Sequence, residues 1–228
     1  MVIKTKQSPL IKESILIGRC SCDKVVRYPF YWSEEIIDEA NKLGMNVIDL
    51  KKENFIEQNI LKHLNKHNPR YVFLNGHGDD FSAMGFNKSP VLTANKNDYL
   101  LIGRIAHIIS CKTGNFLALC AMDKGCEAYL GYKDNFYIWF IEEDPKKDVI
   151  AIMFQEAVNT ASRVLINGGS VKEAFEKSQE AYERRINECK EKYFDPACSD
   201  EIRDITGRII NALILNKKNQ VYFSIDLA

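Results

Sequence analysis

YVFLNGHGDD, residues 71–80, holds a short continuous run of large, mostly apolar residues that breaks at Gly76 into Gly-His-Gly and two acids. A run of this length, apolar on both alternating sets of positions, is the pattern of a strand buried on both faces, as in a parallel sheet. The glycines end it and leave His77 at the point where the strand meets solvent.

Similar runs lie on either side. SILIG (14–18), MNVIDL (45–50), RIAHIIS (104–110) and EAYLGY (127–132) read as strands. Helical patterns separate them. YWSEEIIDEANKLG places Ile36, Ile37, Ala40 and Leu43 on one face, with Ser33 as a possible cap and Gly44 as a stop. FIEQNILKHLNKHNP reads as a helix ended near Pro69, and NFLALCAMDKG as another. Residues 79 to about 103 read as a polar connection. Strands alternating with helices imply right-handed crossovers, and so a mostly parallel sheet in a three-layer α/β/α sandwich.

The last third reads as mainly helical. A helix is expected from Asp144-Pro145 through VIAIMFQEAVNTASRVLI to Gly168 and Gly169. Ser170 and Glu173 form a capping box for AFEKSQEAYERRINECKEKYF. Ile202, Ile205, Ile209 and Leu213 mark a further helix, and QVYFSIDL a closing strand. With no repeat or linker, residues 1–228 read as one domain, an α/β core over about 10–140 carrying a helical extension over about 144–215.

Composition narrows the function classes. The 31 basic and 31 acidic residues cancel, so no broad cationic surface is expected for nucleic acid or anionic lipid. The N-terminal stretch lacks a signal-length apolar run and no segment is long enough to cross a bilayer, which points to the cytoplasm. Seven cysteines, an odd number in a chain too long to need disulfide staples, read mostly as reduced thiols.

One of those thiols, Cys111, directly follows AHIIS, as His77 directly follows YVFLNG. Catalytic groups gather at the carboxyl edge of parallel strands. If the two strands are neighbours, their axes lie about 4.8 Å apart and the side chains meet over one cleft. A thiol and an imidazole so placed are the requirement for nucleophilic acyl transfer. Gly78 carries no side chain, so its amide can face a developing oxyanion, and the Cys111 amide is a second donor. Gly114 permits a sharp turn before the next helix, whose positive end, with Lys112, is expected to favour a thiolate.

The two segments YVFLNGHG and AHIISC, with the continuation CKTGNFLALCAMDKGCEAYLGY, resemble the caspase-like cysteine peptidases of clan CD, which include caspases, legumains and separases. The look is that of the clostripain and gingipain side and of related CHAT-like domains. It spans roughly residues 10–140 and is most specific over 71–132. The resemblance implies a His77–Cys111 dyad, the Gly78 amide in the oxyanion hole, no third catalytic residue, and no metal or organic cofactor. It further implies a peptide or protein substrate and a primary pocket walled in part by AYLGYKDNFYIWF.

Other residues have two readings each. Asp79 and Asp80 are solvated loop acids, or they hold His77 protonated or attract a basic substrate residue. Tyr132 and Trp139 are pocket walls or core aromatics. Asp134, with Asp79 and Asp80, suits an arginine or lysine before the scissile bond. His63 and His67, four apart, lack the glutamate of a metalloprotease helix and read as surface residues. Cys20 and Cys22 fall near the same sheet edge without a second pair to complete a zinc site. Cys120 and Cys126 read as core-facing. The competing functions are an inactive caspase-like binding or regulatory module, and a metal-dependent phosphohydrolase using HGDD, for which four histidines are few. A regulatory protein partner is expected for a peptidase.

Overall fold

The computed structural model describes residues 13–225. Strand β1 (Ser14–Arg19) leads to α1 (Arg27–Lys42), then β2 (Asn46–Lys51), α2 (Glu57–His67) and β3 (Tyr71–Asn75). A hairpin of β4 (Ser82–Met84) and β5 (Pro90–Thr93) precedes β6 (Ile105–Ile109), α3 (Phe116–Asp123) and β7 (Ala128–Tyr132). Three helices follow, α4 (Ala151–Ile166), α5 (Val171–Phe194) and α6 (Asp200–Asn219), and β8 (Gln220–Ser224) closes the series.

The main sheet has the order β2-β1-β3-β6-β7-β8. Its first four pairings are parallel and β8 runs antiparallel to β7. Period-two alternation divides the strand residues between two helical layers. Leu16, Val72, Leu74, Ala106 and Ile108 pack with Ile60 and Leu64 of α2 and with Leu117, Ala118 and Ala121 of α3. Ile15, Ile17, Tyr71, Phe73, Ile105 and Leu130 pack on the other side with Ile36 and Ala40 of α1, Ala161 and Leu165 of α4, and Ala174 of α5. The architecture is the mostly parallel α/β/α sandwich expected. A third cluster lies among α1, α4, α5 and α6, with Ile109, Tyr132 and Phe136 brought from the sheet end.

Several boundaries differ from the sequence reading. Helix α1 begins at Arg27, so Ser33 sits inside it, its hydroxyl donating to the carbonyls of Pro29 and Phe30. The Asp23 carboxylate, which accepts from the Val25 and Val26 amides, sets the earlier start. Helix α4 begins at Ala151 rather than at Asp144-Pro145, because Asp148 takes the Ile150 and Ala151 amides. The Ser170 cap stands as read, with its hydroxyl accepting from the Glu173 amide at 3.1 Å. The span read as a polar connection contains the β4–β5 hairpin. Residues 1–12 of the N-terminal reading, and Asp226 and Leu227 of the closing strand, lie outside the described residues. Among the described residues no helix is long and apolar enough to cross a membrane.

Candidate functional site

Register places the two motif residues. Asn75 pairs with Ile109, and the Gly76 amide donates to the Ile109 carbonyl at 3.3 Å, carrying the β3–β6 ladder one residue further. His77 and Cys111 each lie two positions past that last pair, both at the carboxyl edge of the sheet. Beyond Gly76 the chain turns into the hairpin. The Met84 amide donates to the His77 carbonyl, the Asp79 amide to the Ser82 carbonyl, and Gly78 bridges Ala83.

That phase fixes the direction of the Gly78 amide. Gly78 is the non-hydrogen-bonded member of the hairpin ladder, so its N–H points away from β4. It takes no partner among the described residues. A Cβ at Gly78 would stand 2.7 Å from Thr113 Cγ2 and 2.9 Å from both the Cys111 carbonyl oxygen and Ser110 Cβ. Only glycine lets the two segments approach so closely. A Gly78→Ala substitution should therefore wedge them apart, destabilising the chain by about 1–3 kcal/mol by overpacking. Urea unfolding read by circular dichroism checks this, and a midpoint unchanged from the parent chain would contradict it.

The imidazole is held from the β1–α1 loop. His77 Nε2 lies 2.5 Å from Asp23 Oδ2, and Lys88 Nζ is 3.5 Å from the same oxygen. With Nε2 so engaged, Nδ1 is the ring nitrogen left without a partner among the described residues. Burial pushes the Asp23 carboxyl up, but the His77 hydrogen bond, the Val25 and Val26 amides and the imidazole charge outweigh it, leaving the group below its ordinary value. The acid at His77 is thus Asp23. Asp79 instead accepts from the Phe81 and Ser82 amides, fixing the hairpin turn, and Asp80 accepts from Asn115 Nδ2 at 2.8 Å.

The thiol is half-buried against the α4–α6 cluster, where Sγ accepts from the Phe136 amide at 3.4 Å. Burial pushes the Cys111 thiol up, and the Phe136 N–H and the Lys112 charge offset this only in part. This direction runs against the thiolate expected from the sequence. Helix α3 starts at Phe116, five residues past Cys111. The turn itself is tightly fixed. The Lys112 amide donates to the Asp134 carbonyl, the Gly114 amide to the Tyr132 carbonyl, and Asn115 Nδ2 also donates to the Lys133 carbonyl.

The remaining residues separate. Asp134 is exposed beside this turn and accepts from the Asn135 amide. Tyr132 is fully buried, its hydroxyl 2.9 Å from that of Tyr182, so it is a core aromatic and not a pocket wall. Trp139 is half-buried beneath Arg208, whose guanidinium lies 5.7 Å from the ring centre. Cys126 is in the core, whereas Cys120 is half-buried. His63 and His67 stack at 5.5 Å, and no group of three potential metal ligands occurs among the described residues.

Sequence reasoning missed Asp23 and the Cys20–Cys22 disulfide. A lone acid in a strand-end loop gives no local signal of the imidazole 54 residues later. The signal present was that GRCSCDK follows the first strand and so reaches the same edge.

No protein-family model matches the chain, and no curated protein is similar to it. Solved structures are similar in fold. The complex of the RgpB pro- and mature domains of Porphyromonas gingivalis aligns over 93% of this chain and 47% of that one, with TM-score 0.53 and 12% identity. The Arg-specific cysteine proteinase gingipain R (RgpB) aligns over 75% of this chain and 43% of that one, with TM-score 0.48 and 14% identity. This chain thus spans about half the length of the chains it matches. The fold is the caspase-like α/β/α sandwich.

Proposed function

We propose that this chain is a cysteine endopeptidase in which Cys111 is the nucleophile and His77 the acid–base. The observation that carries the reading is the shared edge position of His77 and Cys111, with Asp23 on one imidazole nitrogen and Gly78, its amide unpartnered among the described residues, packed on the Cys111 segment. The thiol transfers its proton to His77 Nδ1 as Sγ bonds to the substrate carbonyl carbon. The oxyanion formed takes hydrogen bonds from the Gly78 and Cys111 amides. As the C–N bond breaks, His77 returns the proton to the leaving amine, and water, deprotonated by His77, then hydrolyses the thioester and restores the thiol. The chemistry calls for no metal or organic cofactor.

The substrate is a peptide or protein, with a basic residue before the scissile bond. Exposed Asp134 beside the nucleophile turn supports that choice, whereas Asp79 is engaged by hairpin amides and Asp80 by Asn115. Trp139 is the remaining aromatic candidate at the pocket. A regulatory protein partner fits a fold shared with an enzyme whose pro-domain has been seen in complex with it. Five free thiols support a cytoplasmic site of action, against which stands the Cys20–Cys22 disulfide.

The test is labelling of the purified chain by a peptidyl acyloxymethyl ketone with lysine or arginine at the terminal position. Mass spectrometry should locate the adduct on Cys111, and a randomised peptide pool should be cleaved. An unlabelled Cys111 together with an intact pool would overturn the proposal. A second reading, an inactive caspase-like binding module, is favoured by the raised Cys111 thiol, and that same negative outcome is what it expects.

Asp23 is a positioning residue in this scheme. An Asp23→Asn variant should lose roughly 10–100-fold in kcat with KM nearly unchanged, because the imidazole loses its orienting partner and not its contact with substrate. Steady-state kinetics on a fluorogenic peptide checks this, and a loss confined to KM would place Asp23 in substrate binding instead.

A further inference from the structure

We propose that the outer edge of β2 accepts an added strand from an extended, acidic segment of a partner protein. The proposal concerns a surface away from His77 and Cys111 and does not depend on the peptidase reading.

Strand β2 is the terminal strand of the main sheet among the described residues. Its Asn46 amide donates inward to the Glu13 carbonyl, so by alternation Ile48 and Leu50 also direct their backbone groups toward β1. Val47, Asp49 and Lys51 direct theirs outward. Each of these three presents an N–H and a C=O with no backbone partner among the described residues, which is a template for strand addition.

A groove of about 500 Å³ runs along this edge. Its lining includes five consecutive strand residues, Asn46 to Leu50. A groove over one face of a strand would be lined by alternate residues; consecutive ones mean that the strand's side is open. Helix α2 forms the far wall, through Lys62, His63 and His67.

Charge selects the occupant. Among the described residues the only acid lining the groove is Asp49, and it is paired with Arg19 at 2.7 Å. Lys62 and Lys66 of α2, and Lys51 and Lys52 at the end of β2, have no acidic partner among the described residues. His63 Nδ1 is buried with no hydrogen-bond partner. Burial, then the His67, Lys62 and Lys66 charges, hold the His63 imidazole below its ordinary value, as expected where positive charge is in excess.

The pleat sets the pattern an added strand should have. Ile48 and Leu50 belong to the α2 side and Val47 to the α1 side, beside Ile37. Side chains of the added strand would alternate in the same way. Those on the α2 side meet Lys62, His63 and His67, and those on the α1 side meet Val47 and Ile37. The preferred segment therefore alternates acidic and apolar residues.

The test uses the full chain and a fluorescein-labelled octapeptide alternating glutamate and valine, with a lysine–valine octapeptide as control. Anisotropy should show binding of the acidic peptide, weakened as salt rises, and about tenfold or more weaker binding of the basic one. Amide exchange followed by NMR should slow at Val47, Asp49 and Lys51 on binding and stay unchanged at Ile48 and Leu50. Val47→Pro removes one outward N–H without removing a ladder bond and should abolish binding. Should that variant not fold, the exposed-helix double substitution Lys62→Glu/Lys66→Glu should weaken binding about tenfold with helicity intact. No binding at millimolar peptide, equal binding of both peptides, or binding without protection of the three amides would overturn the proposal.

Discussion

Replacing Cys111 by alanine should abolish peptide hydrolysis while leaving the fold in place. No other described free cysteine lies at the carboxyl edge of the β3–β6 pair, so no substitute nucleophile is available. The loss in kcat should be about 10⁴-fold or greater, since positioning and oxyanion stabilisation remain but no acyl-enzyme can form. Stability should change by only about 1 kcal/mol, because the thiol is half-buried and its amide contact, from Phe136, is to sulfur, a weak acceptor. His77→Ala should lose about 10²–10⁴-fold, the usual worth of a positioned acid–base. A Cys111→Ala chain that cleaves at the parent rate would end the dyad assignment; one that fails to fold would mean that the thiol's packing on the α4–α6 cluster had been underestimated.

The reasons that the site was legible are local, and so are the reasons that parts of it were not. All five residues of β3, and all five of β6, are buried, which is why each reads as an unbroken run and why both ends could be placed at one edge. Given the sheet, the glycines about His77 and the small residue before Cys111 then marked the two strand ends. The hairpin β4–β5 has three and four residues, too few for alternation to show. Tyr132 alternates correctly as a strand residue, but its burial comes from Tyr182 on α5, a contact fifty positions away. Asp79 and Asp80 were read by charge, whereas their carboxylates are bound by amides of the hairpin and by Asn115. Asp23 escaped because its partner is defined only once the sheet has been assembled.

The same reasoning identifies Asp148 as the residue whose loss should cost most stability. Asp144 followed by proline looks like the start of a helix, yet Asp148 collects the bonds. Its Oδ2 accepts from the Ile141 and Glu142 amides at 2.7 and 2.8 Å and from the Tyr28 hydroxyl at 3.0 Å, and its Oδ1 accepts from the Ile150 and Ala151 amides. The residue is fully buried. Asp148→Ala would leave four amides without this partner and open the start of α4, so we expect a loss of about 3 kcal/mol or more. In a chain of this size that corresponds to a fall of roughly 6–12 °C in Tm. Burial pushes the Asp148 carboxyl up, but the Glu142, Ala151 and Ile141 amides and the Tyr28 hydroxyl outweigh it, so its folded value lies below the ordinary one. For a group depressed by folding, the stabilisation is present above the ordinary carboxylate range and is lost as pH falls through the folded value. The difference between parent and Asp148→Ala should accordingly be largest at neutral pH and shrink in acid. Calorimetric scans of both chains from pH 7 downward check this, and a difference that grows as pH falls would contradict it. Activity should fall as well. The segment that Asp148 anchors runs back to Phe136, whose amide meets the Cys111 thiol, so freeing its far end loosens that contact even though Asn216 still pairs with the Tyr137 amide and carbonyl and Phe140 still stacks on Tyr28.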